Sequence, residues 1–374
     1  MLKTKMDLCT GCRACEQICP QTCITFNKDK EGFLYPRVEE NNCINCNLCN
    51  TVCHAQVSNK SELIYHTKER KGYYGRVNES ELLKNSSSGG AFSQIVEEWL
   101  DDEGIVFGAT FSADFRYIHH TACSKQDYIK LRKSKYVFSD TEQTYSECKK
   151  KLQEGKKVIF SGTPCQIAGL LKFLGNKPDS LLTIDFICHG TPSIDIYNHH
   201  IDWIAKGRKV TGVDFRSKAM GWRKHCLKVN LSKETYLRSI EEDYYMCEFM
   251  RYSMLRLCCY TCEYSNGNHI SDITLADFWG IKRVDESYID DNGVSLLIFN
   301  TQTNEELLTK LMSTMELRYL EPKDYNYVFK THSSYDANER KRFFLKYEKK
   351  GWDRIATQYY RSRFLRKIIR VLKK

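Results

Sequence analysis

The chain has 374 residues, of which 41% are hydrophobic and 28% are charged, so the whole is neither disordered nor a bundle of membrane helices. It contains 18 cysteines, and no secretory signal is visible at its start. We therefore expect a cytoplasmic protein whose cysteines serve metal or redox chemistry rather than disulfides. The net charge of +10 belongs to residues 340–374, which hold 14 Lys and Arg against 2 acids, and the nearly neutral body predicts no nucleic-acid partner.

Two cysteine runs of matched spacing lie in the first sixty residues. The runs are Cys9, Cys12, Cys15 and Cys19, followed by Pro20, and Cys43, Cys46, Cys49 and Cys53, followed by His54. This is the bacterial ferredoxin pattern, in which the fourth cysteine of each run reaches the other 4Fe-4S cluster. We therefore predict cluster I at Cys9, Cys12, Cys15 and Cys53, and cluster II at Cys19, Cys43, Cys46 and Cys49. Zinc is the alternative, but zinc sites have longer gaps between their cysteine pairs.

Cys23 lies outside this pattern, and we expect it to be a buried, apolar thiol. A polar stretch over 59–85 is predicted to be a linker. It ends at Ser86-Ser-Ser-Gly-Gly90, which opens an amphipathic helix near Ala91–Asp102. Small residues before a helix expose backbone N–H groups that can cradle a phosphate. A serine cap followed by a glycine turn is the simpler explanation of the same residues.

Strand and helix patterns alternate along the middle of the chain. Strands are predicted over Gly104–Phe111, Lys157–Ser161, Leu181–Ile187, Val210–Phe215, Leu227–Leu231, Ile273–Phe278 and Val294–Asn300. Helices are predicted near Thr141–Gln153, Gln166–Leu174, Ile194–Lys206 and Asn304–Met315. Such alternation indicates an α/β or mixed α+β core. The sequence lacks the glycine fingerprints of Rossmann dinucleotide sites and of P-loops.

Four further cysteines stand in settings that could bring them together. Cys165 and Cys188 each follow a predicted strand, whereas Cys259 and Cys262 form a Cys-x2-Cys pair. Two strand ends and one such pair can deliver four thiolates to a third cluster or to a tetrahedral zinc ion. The alternative is that Cys165 and Cys188 are core residues. Cys258, directly before the pair, could compete as a ligand.

These cysteine settings, with Ser87-Ser-Gly-Gly90, Lys133-Ser-Lys-Tyr136 and Asp272-Ile-Thr-Leu-Ala-Asp-Phe-Trp-Gly280, resemble the coenzyme F-420 hydrogenase/dehydrogenase beta-subunit family. The form it is most similar to carries a fused double-cluster ferredoxin domain and often accompanies genes for surface polysaccharides. The resemblance covers about residues 1–300 and implies FAD, bound beside a 4Fe-4S cluster. It implies that the third cluster is bound by Cys165, Cys188, Cys259 and Cys262.

The same resemblance implies the flavin-facing segments and the domain division. Flavin is expected at Ser87, Ser88, Gly89, Gly90, Lys133 and Lys135, whereas use of F-420 itself has no support in the motifs. The implied fold is α+β, with a small bacterial-type double 4Fe-4S ferredoxin domain before a larger mixed α/β flavin-binding domain. We place the ferredoxin domain at 1–58, the linker at 59–85, the flavin and iron–sulfur domain at 86–302, and a basic helical extension at 303–374.

Two remaining features have competing explanations. His189 follows Cys188 and is a candidate catalytic proton donor, but a histidine there can equally orient the cluster loop. From Arg361 onward, apolar residues recur at helical spacing with basic residues opposite. This pattern is typical of a helix lying on an anionic membrane surface, or of one docked on the protein with a solvated basic face.

These observations predict an oxidoreductase that takes electrons from ferredoxin or another donor protein and passes them through clusters and FAD to an organic small-molecule acceptor. Surface-polysaccharide biosynthesis is the setting implied by the resemblance. The alternative is a non-catalytic electron-transfer subunit of a larger redox complex. A nucleic-acid-binding arm formed by the C-terminal helix is the weakest candidate because the body carries no basic face.

Overall fold

The computed structural model describes residues 2–56, 70–301, 305–329 and 337–372. The α-helices are α1 (Ala14–Gln17), α2 (Leu48–Thr51), α3 (Ser80–Lys84), α4 (Ala91–Trp99), α5 (Thr144–Gln153), α6 (Pro164–Leu174), α7 (Ile194–Ala205), α8 (Tyr244–Met250), α9 (Glu305–Thr314), α10 (Pro322–Tyr325), α11 (Ala337–Lys350) and α12 (Trp352–Leu372). The strands are β1 (Ile24–Lys28), β2 (Leu34–Val38), β3 (Lys71–Val77), β4 (Ile105–Phe111), β5 (Ile118–Ser124), β6 (Val158–Ser161), β7 (Leu181–Phe186), β8 (Val210–Ser217), β9 (Cys226–Leu231), β10 (Thr235–Ser239), β11 (Ile273–Asp277), β12 (Ser295–Phe299) and β13 (Met315–Leu320).

The N-terminal domain consists of two short helices and one antiparallel hairpin. Each helix, α1 and α2, directly follows one of the cysteine loops, and β1 pairs with β2. The hairpin is not independent of the rest of the chain, because Phe33 and Tyr35 are buried in a core shared with α7, α8 and the C-terminal helices. The ferredoxin-like domain is therefore seated on the larger domain.

An eight-stranded mixed sheet forms the centre of the larger domain, in the order β13-β3-β12-β11-β7-β6-β4-β5. Strands β4, β6, β7 and β11 are parallel, and antiparallel strands flank them on both sides. Side chains alternate between two covered faces: Ile159 packs toward α4 and α9, whereas Phe160 packs toward α5 and α6. Because parallel strands end at one edge, the segments after β6, β7 and β11 meet there.

A second, antiparallel sheet lies beside the first, in the order β10-β9-β8. It shares its apolar core with α7, α8, α11 and α12, where Trp352, Ile355 and Ala356 are buried. The predicted strands and helices of the middle of the chain are confirmed, with ends shifted by a few residues. The mixed fold, with a ferredoxin-like domain before a larger α/β domain, is confirmed as well.

Two domain limits differ from the sequence-based expectation. The predicted linker over 59–85 contains β3 and α3, and β3 pairs with both β12 and β13 inside the large sheet. Residues 57–69, which include the first part of that linker, lie outside the described residues. The extension over 303–374 contributes β13 to the same sheet, so it is not wholly helical. Alternation in β3 was obscured because this central strand is buried on both faces.

Candidate iron–sulfur and flavin sites

The two ferredoxin-type loops have the same backbone turns at equivalent positions. The second and fourth residues after the first cysteine are left-handed in both loops: Gly11 and Arg13 in one, Asn45 and Asn47 in the other. Positive φ angles are costly for most residues, and Gly and Asn are the types that adopt them most readily. These turns curl each loop so that its three thiols point inward.

The cysteines assigned to cluster I converge in a buried place. Electrostatic repulsion couples Cys15 with Cys9, Cys12 and Cys53, and burial raises the pKa values of Cys15 and Cys53. Burial raises the pKa of Cys12 to about 12. Buried thiols are therefore protonated unless a cationic centre binds them, which is the role that iron fills in such sites.

The cysteines assigned to cluster II line a second cavity that is closer to solvent. Its cysteine lining is Cys19, Cys23, Cys43, Cys46 and Cys49. Cys46 is exposed, whereas Cys23 is buried with its Sγ 3.4 Å from that of Cys19. The hydrogen bond that Cys23 donates to Cys19 raises the pKa of Cys23 to about 11. Cys23 is buried, as expected, and it also borders the cluster II cavity.

The four cysteines of the candidate third site also come together, at the edge where the parallel strands end. One cavity is lined by Cys165, Cys188, Cys258, Cys259 and Cys262. Cys165 is the second residue of α6, whose start is fixed by a capping box between Thr163 and Gln166. Cys188 lies two residues beyond β7, which brings it to the same edge.

Backbone donors and a neighbouring thiol stabilise negative charge on the sulfur atoms of this third site. The N–H groups of Gly190 and Thr191 donate to the Sγ atoms of Cys188 and Cys259, each over 3.4 Å. A hydrogen bond from Cys258 lowers the pKa of Cys259 to about 7. The chemistry of the donor set therefore fits an iron–sulfur cluster. In the described ranges, no group of three or more His, Cys, Asp or Glu side chains has the geometry to hold a single metal ion.

The N-terminal domain contacts the third site directly. Thr141 Oγ1 donates to the Cys12 carbonyl over 2.9 Å, and helix α6 approaches so closely that a Cβ on Gly169 would lie 2.9 Å from Cys12 Sγ. Electrostatic repulsion also couples Cys12 to Cys165. The cluster I cysteines therefore lie between those of cluster II and those of the third site.

His54, which stands where a proline is usual, joins the two domains at this point. It is buried, its Nε2 lies 3.0 Å from Thr10 Oγ1, and its Nδ1 lies 2.9 Å from Tyr264 Oη. Thr10 belongs to the cluster I loop, and Tyr264 lines the third-site cavity two residues after Cys262. The departure from the usual sequence thus supplies a hydrogen-bonded bridge.

The serine–glycine segment is held by hydrogen bonds and close backbone packing within the protein. Ser88 Oγ donates to the Val294 carbonyl over 2.8 Å, and Gly89 N–H donates to Ser295 Oγ over 3.0 Å. A Cβ on Gly89 would lie 2.4 Å from the Gly75 carbonyl, so close packing of backbones requires glycine. Gly90 is left-handed and precedes α4. Gly90 itself is the N-cap of α4 and no side chain caps the helix, so the expected serine cap is wrong, whereas the glycine turn is present.

Ser87 and the predicted lysine segment are nevertheless neighbours. Ser134 N–H donates to Ser87 Oγ over 3.0 Å. Lys133 is partly exposed and forms an ion pair with Asp214 over 2.7 Å. Lys135 donates to three carbonyls of its own loop, and burial lowers its pKa to about 7. Lys135 therefore stabilises the loop, while Lys133 keeps part of its ammonium group toward solvent.

Two further cations, Arg216 and Lys218, border this segment. Their sequence setting predicts either binding of an anionic substrate or the flavin, or ordinary surface charge. Arg216 is buried, and its Nη2 lies 3.5 Å from the Ser87 carbonyl and 2.7 Å from Asp277. Its Nε has no hydrogen-bond partner within the part of the chain that the structure describes. Lys218 donates to the carbonyls of Leu83, Ser88 and Asn292 and so ties three segments together, and burial lowers its pKa to about 8. This concentration of desolvated cations fits a ligand that carries phosphate.

An aromatic surface borders the same cations. Trp279 is 48% exposed and stacks on buried Trp222 with ring centroids 4.7 Å apart. The Arg216 guanidinium lies 5.0 Å from the Trp279 ring, and Trp222 Nε1 donates to Asp277 over 2.8 Å. An exposed, rigidly backed indole suits a planar ligand ring. The neighbouring residues therefore fit FAD in both its charged and its aromatic part.

Two comparisons with known proteins identify the domains. Residues 8–57 match the family model of the 4Fe-4S dicluster domain, and residues 155–324 match that of the C terminus of the coenzyme F420 hydrogenase/dehydrogenase beta subunit. The chain joins a 4Fe-4S dicluster domain to a C-terminal domain of that beta subunit. It is thus an iron–sulfur electron-transfer protein related to the F420 hydrogenase beta subunit.

A search of solved structures found a chain from the F420-reducing [NiFe] hydrogenase complex of Methanosarcina barkeri. It is 15% identical, covers 77% of this chain and 92% of its own length, and superposes with a TM-score of 0.48. The search of curated proteins returned no match. The beta-subunit domain contains the four third-site cysteines, whereas the segments at 86–90 and 133–135 precede it.

His189 is packed between aromatic rings rather than open to solvent on all sides. Its ring stacks on Tyr252 with centroids 4.0 Å apart, and its Nε2 donates to the Phe249 carbonyl over 3.0 Å. Phe249 in turn stacks on Tyr136, three residues beyond Lys133, with centroids 5.1 Å apart. His189 therefore lies between the third site and the candidate flavin segment, and its catalytic role stays a prediction.

Proposed function

We propose that the chain is an iron–sulfur flavoprotein oxidoreductase. It takes electrons from a ferredoxin-type donor at its N-terminal domain and delivers them to an organic small-molecule acceptor at its larger domain. The observation that carries this proposal is the continuous series of three cysteine sites, which ends beside a cation-rich, aromatic surface. When bound, the clusters supply one-electron transfer, and flavin couples it to two-electron chemistry.

The electron donor is expected to dock at cluster II. Cys46 is exposed there, and two apolar side chains that line the same cavity are exposed as well: Ile44 (60%) and Leu48 (41%). Apolar groups of this size seldom lie together on a surface that has no partner. Cluster I, by contrast, is enclosed by the larger domain through Thr141 and α6.

At the other end, the chain's own residues would bind and orient the flavin. Arg216 and Lys218 would offset the charge of the pyrophosphate. Lys133 would weaken its ion pair with Asp214 and pair with the phosphate instead. Trp279 would stack against a ring of the flavin or of its adenine. Ser87 would fix the position of the loop at Ser134 relative to this surface.

Anaerobic purification of the full chain, with assays of iron, sulfide, zinc and released flavin, tests the proposal. Three 4Fe-4S clusters and one flavin require about twelve irons and one FAD per chain. About eight irons without flavin would contradict it and favour the dicluster domain alone.

In the same assay, Arg216→Gln should lower flavin content while iron stays, and the surface variant Arg208→Gln should change neither. Full flavin retention by Arg216→Gln would reject this binding surface.

The second candidate is an electron-transfer subunit of a larger redox complex. Phe186 and Trp279, at the ends of neighbouring strands, are 41% and 48% exposed, which is also what a protein partner would cover. A stoichiometric partner on pull-down, with no turnover of the isolated chain on any small acceptor, favours this interpretation. Turnover of the isolated chain on a small acceptor favours the enzyme.

A sugar that is activated or linked to lipid is our candidate acceptor, as the surface-polysaccharide setting of similar proteins implies. The C-terminal helix is the candidate membrane contact. Helix α12 is held by Trp352, Ile355 and Tyr360, whereas Arg361 and Leu365 are exposed. Lys373 and Lys374, and the side chains of 364 and 366–372, lie outside the described residues. In the described ranges, no helix is both long and apolar enough to span a membrane.

Deleting residues 361–374 should abolish sedimentation of the protein with anionic vesicles, because the basic end of α12 supplies the attraction to lipid headgroups. Reduction of a soluble acceptor should persist, since the anchoring residues Trp352 to Tyr360 remain. Neutral vesicles serve as the control and should bind neither form. Unchanged sedimentation of the truncated protein would rule out this membrane contact.

A further inference from the structure

Arg256 is a buried cation that lies between the N-terminal domain and the third site. Its Nε donates to the Cys9 carbonyl over 2.6 Å, and its Nη2 donates to the Leu34 carbonyl over 2.7 Å. The same Nη2 lies 3.6 Å from Cys9 Sγ. The guanidinium carbon is 4.1 Å from the centre of the Tyr35 ring, and the residue is 1% exposed.

No carboxylate balances this charge within the ranges that the structure describes. Arg256 takes part in none of the ion pairs found there, and its Nη1 is buried without a hydrogen-bond partner. A buried guanidinium without a counter-charge is costly. Its neighbours that can become negative are thiols. The compensating charge is therefore expected from cysteine sulfur.

The Arg256 side chain lies against the cluster I loop, and its backbone is hydrogen-bonded to the segments that carry third-site cysteines. On one side, a Cβ on Gly11 would lie 3.2 Å from its Nη1, so the cluster I loop packs directly on the guanidinium. On the other side, Cys258 and Cys259 follow it in the chain, and Cys259 N–H donates to the Arg256 carbonyl over 3.0 Å. The Arg256 backbone N–H in turn donates to the Thr191 carbonyl over 2.9 Å.

We propose that Arg256 is the counter-ion of the cluster I site, a positioning residue that raises the potential at which cluster I accepts an electron. Reduction adds one negative charge to a cluster, and a desolvated cation next to it stabilises that charge strongly. Net charge and hydrogen bonds to the sulfurs are recognised determinants of cluster potentials. The inference rests on the proposed function only in requiring clusters at these cysteines.

The test uses the full chain, purified anaerobically, with redox titration followed by electron paramagnetic resonance and without any acceptor. Arg256→Gln should lower the equilibrium constant for reduction of cluster I at least tenfold. For a one-electron couple this is a fall of about 59 mV in its midpoint potential. Arg256→Lys, which keeps the charge, should recover most of that fall. Iron content is measured on every sample.

Arg340→Gln is the matched control. Arg340 is also buried, donates to the carbonyl of the adjacent Leu255 over 2.8 Å and packs on Phe33, but its charge is paired with Glu31. Its removal should leave the potential of cluster I unchanged. An equal shift in this variant would mean that any disturbance of the region moves the potential, and it would overturn the proposal.

An unchanged potential in Arg256→Gln with full iron overturns the proposal, as does an equal fall in Arg256→Lys. If Arg256→Gln loses iron, retention of iron and potential by Arg256→Lys supports the need for charge, whereas loss from both variants rejects it. A wild type that holds about eight irons and no flavin would refute the proposed function while leaving cluster I available for this test.

Discussion

Replacing Cys262 with alanine should remove about four irons per chain and leave the two N-terminal clusters in place. Cys262 lines the cavity that it shares with Cys165, Cys188 and Cys259, and loss of one of four thiolate ligands should destabilise the cubane enough to release it. Reduced ferredoxin should then fail to reduce the flavin above background, because the third site lies between cluster I and the candidate flavin surface. Iron analysis and the rate of flavin bleaching measure both effects.

The choice of ligands within this site has its own internal controls. Cys258 also borders the cavity, and its hydrogen bond lowers the pKa of Cys259. We expect Cys258→Ala to keep full iron and Cys259→Ala to lose about four irons. Cys226→Ala, a buried cysteine on β9, controls for the loss of a buried thiol elsewhere. Full iron in Cys262→Ala would remove it from the ligand set.

The spacing of the cysteines made most of the iron–sulfur assignment predictable. Ligand spacing in a ferredoxin loop is local, since it depends on the turns at Gly11, Arg13, Asn45 and Asn47. The strands of the parallel sheet were also predictable, because their apolar runs are short and bounded by turns. That Cys165 and Cys188 would meet follows from the same argument, since parallel strands end at one edge of the sheet.

Long-range contacts set the limit of the sequence-based account. Strand β3 pairs with β12 and β13, which follow it by more than 200 residues, and no local pattern reveals such partners. Arg256 reads as an ordinary basic residue in the sequence, yet it is buried against Cys9, 247 positions away. Buried cations of this kind become visible only once the two domains are placed together.

The serine–glycine segment illustrates the opposite case, in which one pattern has two compatible explanations. Gly89 is required by the backbone of Gly75, and Ser88 is engaged by Val294, so packing alone accounts for these two residues. The cations that best fit a flavin phosphate, Arg216 and Lys218, come instead from the end of β8 and the turn after it. The sequence motifs therefore belong to segments that lie close together, and their binding of flavin stays a prediction.

Replacing Cys12 with alanine should remove cluster I and leave flavin bound. Cys12 is buried at the centre of the cluster I cysteines and contacts α6, so no other described thiol replaces it without moving the loop. Electrons from reduced ferredoxin should no longer reach the flavin, whereas a small chemical reductant should still bleach it directly. Stopped-flow absorbance with the two reductants separates these results.

Cys23→Ala provides the control within the same domain and tests the cluster II ligands as well. If Cys19 binds cluster II, Cys23→Ala should keep all iron even though the two sulfurs are 3.4 Å apart. Loss of about four irons would identify Cys23 as the ligand instead. Loss of flavin together with cluster I in Cys12→Ala would contradict separate cofactor sites. It would show that the contacts of Cys12 with Gly169 and Thr141 carry the stability of the larger domain.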